Sequence, residues 1–181
     1  MKWNAIRLAA ITTAILFGWL RLQGEGLITA TSPWGIVDLE LADTPSRLSA
    51  LLLAWNKTIA VNNILIDFLF IPSYALFLSL GCRQLAMGYQ PSVLLTIGNF
   101  MAKGVWLAAF LDVIENLLML GSIHGYFSSS SLELTRWVAI VKFSLVAIAI
   151  LYLLVFGILF LFKKKSFFFS KFLNKNKNNS I

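Results

Sequence analysis

From Leu107 to Leu120 the chain reads Leu-Ala-Ala-Phe-Leu-Asp-Val-Ile-Glu-Asn-Leu-Leu-Met-Leu, an apolar run holding two carboxylates and an amide within five positions. Asp112, Glu115 and Asn116 stand at i, i+3 and i+4, so on a helix all three project from one face. At bilayer depth a single carboxylate costs roughly 2.5–3.5 kcal/mol on an insertion scale. A chain with this stretch must therefore bring further polar groups to the same level.

Composition supports the membrane setting. Hydrophobic residues make up 59% of 181 and charged residues 13%, and the mean hydropathy is +0.80. A soluble domain carries about a quarter charged residues, so the chain belongs with polytopic membrane proteins of one domain. The lone Cys82 excludes an intramolecular disulfide, a Cys-x-x-Cys redox centre and a cysteine-based zinc site. A net charge of +7 invites a nucleic-acid reading, yet six of the fifteen basic residues fall in the last nineteen positions. That is the distribution of a juxtamembrane tail, and nucleic acid is not an expected partner.

Four apolar stretches, at about residues 3–22, 58–82, 92–121 and 134–162, are each long enough to cross a bilayer. The expected fold is an all-α bundle of four transmembrane helices. The first stretch has a competing reading as a cleaved signal peptide, although only poor cleavage sites follow it. Pro72 predicts a kink in the second span.

Residues 23–57 form a long polar connection, read as an extracytoplasmic cap. Ser32-Pro33-Trp34-Gly35 predicts a turn. Val37–Leu41 alternates apolar and acidic residues, as a short strand or an interfacial segment does. Thr44 as N-cap and Pro45 at the first position start an amphipathic helix to about Asn56. It is expected to lie along the membrane surface with Trp55 at headgroup level. The basic residues 163–181 are expected to be a cytoplasmic tail without folded structure, or a short surface-bound one. Lys2, Arg7, Arg83 and the tail lysines place both termini in the cytoplasm by the positive-inside rule.

Counting residues inward from the cap side, Asp67, Asp112, Glu115 and Lys142 all fall about six to ten residues deep, within one or two helical turns of each other. Asn63, Asp67 and Tyr74 share a face of the second span. The candidate site is therefore Asn63, Asp67, Tyr74, Asp112, Glu115, Asn116 and Lys142. Three acids and one base leave negative charge for a proton, a metal ion or a cationic ligand to balance. Lys103 faces nearly the opposite way and is read as snorkelling or as paired with a partner the sequence does not name. His124 lies in a loop, and no metal-ligand spacing or cofactor motif is present; a divalent cation on carboxylates and amides stays open.

Asp67-Phe-Leu-Phe-Ile-Pro72-Ser-Tyr74 and Asp112-Val-Ile-Glu115-Asn116, with weaker support from Leu39-Glu-Leu-Ala-Asp-Thr44, resemble a family of small bacterial integral membrane proteins with four predicted spans. The resemblance covers most of the chain except the Lys/Asn tail. It implies the architecture and a place in the bacterial inner membrane, and no activity.

Three functions fit these residues. The favoured one is binding of a small solute, proton, ion or lipid head group by the intramembrane cluster. The alternatives are an accessory or assembly subunit whose charges pair with a partner, and an intramembrane enzyme using a carboxylate as acid or base. An enzyme is the less favoured, since no triad or phosphate loop is present. The lipid bilayer is the expected partner of such a chain, and a homodimer or larger membrane complex is the further one considered. Gly18, Gly81, Gly98, Gly104 and Gly157 are close-packing points, but no Gly-x-x-x-Gly pair lies within a span.

Overall fold

A computed structural model describes residues 3–88 and 92–178, with side chains placed over 4–88 and 93–159. The order is α1 (Trp3–Gln23), a 3-10 turn (Gly24–Leu27), α2 (Val37–Glu40), α3 (Pro45–Ala54), α4 (Lys57–Met87), α5 (Ser92–Ile123) and α6 (Ser129–Asn178). Four stretches are long and apolar enough to cross a membrane: Asn4–Leu27, Lys57–Met87, Val93–Ile123 and Ser129–Leu159. The all-α four-span bundle expected from the sequence is the fold.

The helices begin where side chains cap them. Thr44 Oγ1 accepts from the Arg47 amide at 3.3 Å with Pro45 next to it. Asn56 Oδ1 accepts from the Thr58 amide at 3.0 Å and starts α4. α4 runs unbroken through Pro72, whose ring faces outward. The last helix departs from expectation: α6 continues through the Lys/Asn-rich residues to Asn178. Extending a formed helix is far easier than nucleating one, and no proline or glycine follows Gly157 to stop it.

α5 packs against both α4 and α6, which also touch each other, whereas α1 packs on α4. Two apolar clusters result. One lies at the cap end and joins Leu27, Leu39, Leu48, Leu51 and Trp55 to Ile64, Met119 and Leu132 of the spans. The other lies deeper, from Ile71 and Tyr74 through Cys82 to Val105 and Tyr152.

The cap is more folded than its sequence suggested. Val37–Glu40 is a helical turn, not a strand, and it buries Asp38, Leu39 and Glu40. Gly35, at φ +64°, reverses the chain just before it, a conformation that favours glycine. Trp55 is buried within the protein, its indole N–H donating to Ser32 Oγ at 2.8 Å. Ser32 Oγ in turn donates to the Leu27 carbonyl at 2.7 Å. α3 thus puts its apolar face onto the helix ends instead of into lipid.

Of Gly18, Gly81, Gly98, Gly104 and Gly157, Gly81 and Gly98 serve close packing inside the bundle. A Cβ on Gly98 would meet the Ala86 side chain and come within 2.9 Å of the Cys82 carbonyl and the Tyr152 hydroxyl, whereas one on Gly18 or Gly157 meets nothing within 4 Å. Gly98→Ala is therefore expected to destabilise the bundle by about 1–3 kcal/mol, with Gly18→Ala near neutral. Thermal unfolding of the two variants in the same detergent checks the contrast.

Candidate functional site

Between the two apolar clusters lies one layer of charged and polar side chains. Lys142, on α6, is 5% exposed, and its ammonium sits where three acids converge. Nζ lies 2.9 Å from Asp112 Oδ1 and 2.8 Å from Glu115 Oε2, both on α5, and 3.6 Å from Glu40 Oε2 of the cap. The Asp112 contact is a hydrogen bond. The Glu115 contact is an ion pair by distance only, for neither Glu115 oxygen has a hydrogen-bond partner, and Glu40 Oε2 likewise has none. Glu115 is completely buried.

Around this centre, the Tyr74 hydroxyl donates to Asp112 Oδ2 at 2.8 Å, so each Asp112 oxygen has a donor. The Asn116 amide donates to Asp67 Oδ2 at 2.7 Å. Asp67 forms no ion pair with any described cation. Asn63 stands apart from this network. Its amide donates to the Leu20 carbonyl at 3.0 Å and to Gln23 Oε1 at 2.8 Å, tying α4 to the end of α1. A side chain on Gly24 would collide with that amide, its Cβ only 2.8 Å from Asn63 Nδ2.

Of the residues that spacing placed together, Asp67, Tyr74, Asp112, Glu115, Asn116 and Lys142 do meet, whereas Asn63 turns to a neighbouring contact. The residue that spacing missed is Glu40. Its signal was an acid in a segment otherwise rich in leucine, but the alternating pattern pointed Glu40 outward, beside Asp38. Asp38 has its own partners, accepting from Arg47 at 2.7 Å and from the Trp34 amide at 2.8 Å. Lys103 is exposed on the bundle exterior, clear of the layer.

The layer opens on a cavity of about 830 Å³ between α1 and α6. Glu40, Asn63, Asp67, Asp112, Asn116 and Lys142 give it a polar end, and Tyr74 lies just beyond them. Ala10, Ala14 and Phe17 of α1 form one side, and Val146, Ile150 and Leu154 of α6 the other. A second concavity, of about 540 Å³, lies between Lys57 and His124 at the cap end. It is shallower and holds no buried charge, and the His124 ring already contacts the Leu120 carbonyl at 2.7 Å. Chemistry therefore concentrates at the first. Among the described residues, no three His, Cys, Asp or Glu side chains are grouped to hold a metal ion.

Comparison with known proteins finds no matching family profile, curated protein or solved structure.

Two predictions follow from the ion cluster. Lys142→Met would leave Asp112, Glu115 and Glu40 without their cation and is expected to cost about 3–5 kcal/mol. Adding Glu115→Gln to that variant should restore part of the loss, read as thermal stability in detergent.

The second concerns pH. Burial pushes the Glu40 carboxyl above its ordinary value of 4.5; the Lys142 charge opposes the rise and the Asp112 carboxylate adds to it. The folded state therefore holds this proton more tightly than the unfolded chain. That contribution to stability is fully present below pH 4.5 and is lost as pH rises through the raised value. The unfolding temperature of the parent is accordingly expected to fall as pH rises above about 5, and Glu40→Gln should flatten that fall.

Proposed function

We propose that this protein binds a chain-bearing amphipathic small molecule from within the membrane, its polar head at the buried ion cluster. The observation that carries the reading is the shape and lining of the cavity. Its volume of about 830 Å³ lies in the range of small-molecule sites. Along α4 the lining runs from Asn63 to Leu78, on the order of 20 Å at 1.5 Å per helical residue. One end is charged and the rest apolar, which suits a ligand with a polar head and an extended apolar body. The side of the cavity between α1 and α6 faces the lipid region, so a lipid-soluble ligand has a lateral way in.

In this reading the protein belongs with the small bacterial four-span membrane proteins that its two motifs resemble, in the cytoplasmic membrane. Both termini face the cytoplasm and the cap lies outside, as the lysine and arginine distribution favours. The cap then closes the outer end of the cavity through Ile28, Trp34 and Ile36.

A second reading draws on α1. Of its most apolar window only 6% is buried, so the groove beside it also suits a helix of a partner subunit. One experiment separates the two. Native mass spectrometry of the protein released from mild detergent is expected to find a bound molecule of lipid-like mass. Ala14→Trp, which fills the cavity from the α1 side, should lose at least nine-tenths of it. A bare parent protein, or equal retention in the variant, would refute the binding reading. A co-purifying polypeptide in its place would establish the subunit.

A further inference from the structure

We propose that the head of the bound amphipath is a cation, a protonated amine, and that it seats on Asp67 beside the Phe17–Phe70–Tyr74 rings. This rests on the binding reading above and names the ligand class.

Lys142 cannot serve an anionic head, because its ammonium is already committed to Asp112, Glu115 and Glu40 at 2.9, 2.8 and 3.6 Å. An ammonium has three N–H donors and no capacity to accept, and an incoming carboxylate or phosphate would meet three acids already in place. Asp67 is in the opposite condition. It lines the cavity with one oxygen held by Asn116 at 2.7 Å and no described cation paired with it. Glu40 points to the same deficit. It is 7% exposed and lines the cavity, and its Oε2 receives no hydrogen bond. The polar end therefore has acceptors in excess and donors in short supply, which is what an ammonium head relieves.

Aromatic rings complete the seat. Phe70 lies one turn from Asp67 on α4, 6.1 Å from Phe17 across the gap to α1 and 5.3 Å from Tyr74. A carboxylate flanked by aromatic faces is the combination by which proteins hold alkylammonium groups. The apolar chain then runs away from the cap along Phe77, Val146 and Leu153.

The test uses the full-length protein in lipid nanodiscs, with empty nanodiscs subtracted, and three probes of equal chain length. These are dodecylammonium, dodecanoate and dodecanol. The ammonium probe is expected to bind at least tenfold more tightly than the other two. Asp67→Asn keeps the size of the side chain and an oxygen for Asn116, and should bring ammonium binding down to the dodecanol level with dodecanol unchanged. Phe70→Leu, should Asp67→Asn not fold, is expected to weaken the ammonium probe several-fold and spare dodecanol. Equal binding of the three probes, a preference for dodecanoate, or a full ammonium preference in both variants would overturn the assignment while leaving the cavity a ligand site. Failure of all three probes on the parent protein would instead strike the binding reading itself.

Discussion

Everything at the centre of this bundle depends on where the Lys142 ammonium sits. It meets acids from two other parts of the chain, Asp112 and Glu115 on α5 and Glu40 on α2, and so fixes α6 to α5 and the cap to both. Such an arrangement contributes little net stability. Taking four charged groups out of water costs several kcal/mol each, and their attraction only roughly recovers it. Hydrogen bonds between transmembrane helices average only about 0.6 kcal/mol. What the ion cluster supplies is uniqueness, because any slip of α6 along α5 separates opposite charges in a medium that screens them poorly.

The apolar clusters on either side make that cluster possible. Leu27, Leu39, Leu48 and Leu51 of the cap close over it from one end, and Ile71, Ala75 and Val105 from the other. Water is thereby kept from the charges on the cap side, where the end of a simple four-helix hairpin would be open. The cavity arises from an asymmetry in the same packing. α4, α5 and α6 form a close three-helix unit, tight enough at Gly98 that no side chain fits. α1 leans on α4 and is held at its end by Gln23, whose amide donates to the Ile59 carbonyl at 2.9 Å, and by Asn63. The space between α1 and α6 is the cavity that results.

Much of this was legible in the sequence, and the exceptions share a cause. The i, i+3, i+4 spacing of Asp112, Glu115 and Asn116 forced one face, and counting depth along regular helices put Asp67 and Lys142 level with them. Helical geometry is nearly rigid, so a residue's number gives its position in a span. That rule fails where the chain leaves the helices. The alternation in Val37–Leu41 fits a strand as well as a helical turn, and only tertiary contacts decide which. Glu40 therefore remained hidden, and so did the burial of Trp55, whose Ser32 partner is 23 residues away. Asn63 and Tyr74 show the limit within the spans. Both share a face with Asp67, yet Tyr74 reaches across to Asp112 while Asn63 turns to α1. Periodicity gives the face and leaves the neighbour undetermined.

The remaining question is whether such a cluster is only mortar between helices. Mortar has a recognisable form. In a buried polar network that exists to hold structure, each acceptor finds a donor, since a half-satisfied network is worse than an apolar core. Asp112 meets that standard, with Lys142 on one oxygen and Tyr74 on the other. Glu115 and Glu40 fall short of it: Glu115 Oε2 has the Lys142 ammonium at 2.8 Å, but Glu115 Oε1 and Glu40 Oε2 receive no hydrogen bond, and Asp67 has a donor on only one side. Leucine or glutamine at these positions would hold the helices with less electrostatic cost. The unmet acceptors lie in and beside a cavity long enough for an extended chain, so the surplus is better read as capacity for a group that arrives with its own protons. The proposed ammonium head would account for the cavity and the imbalance together.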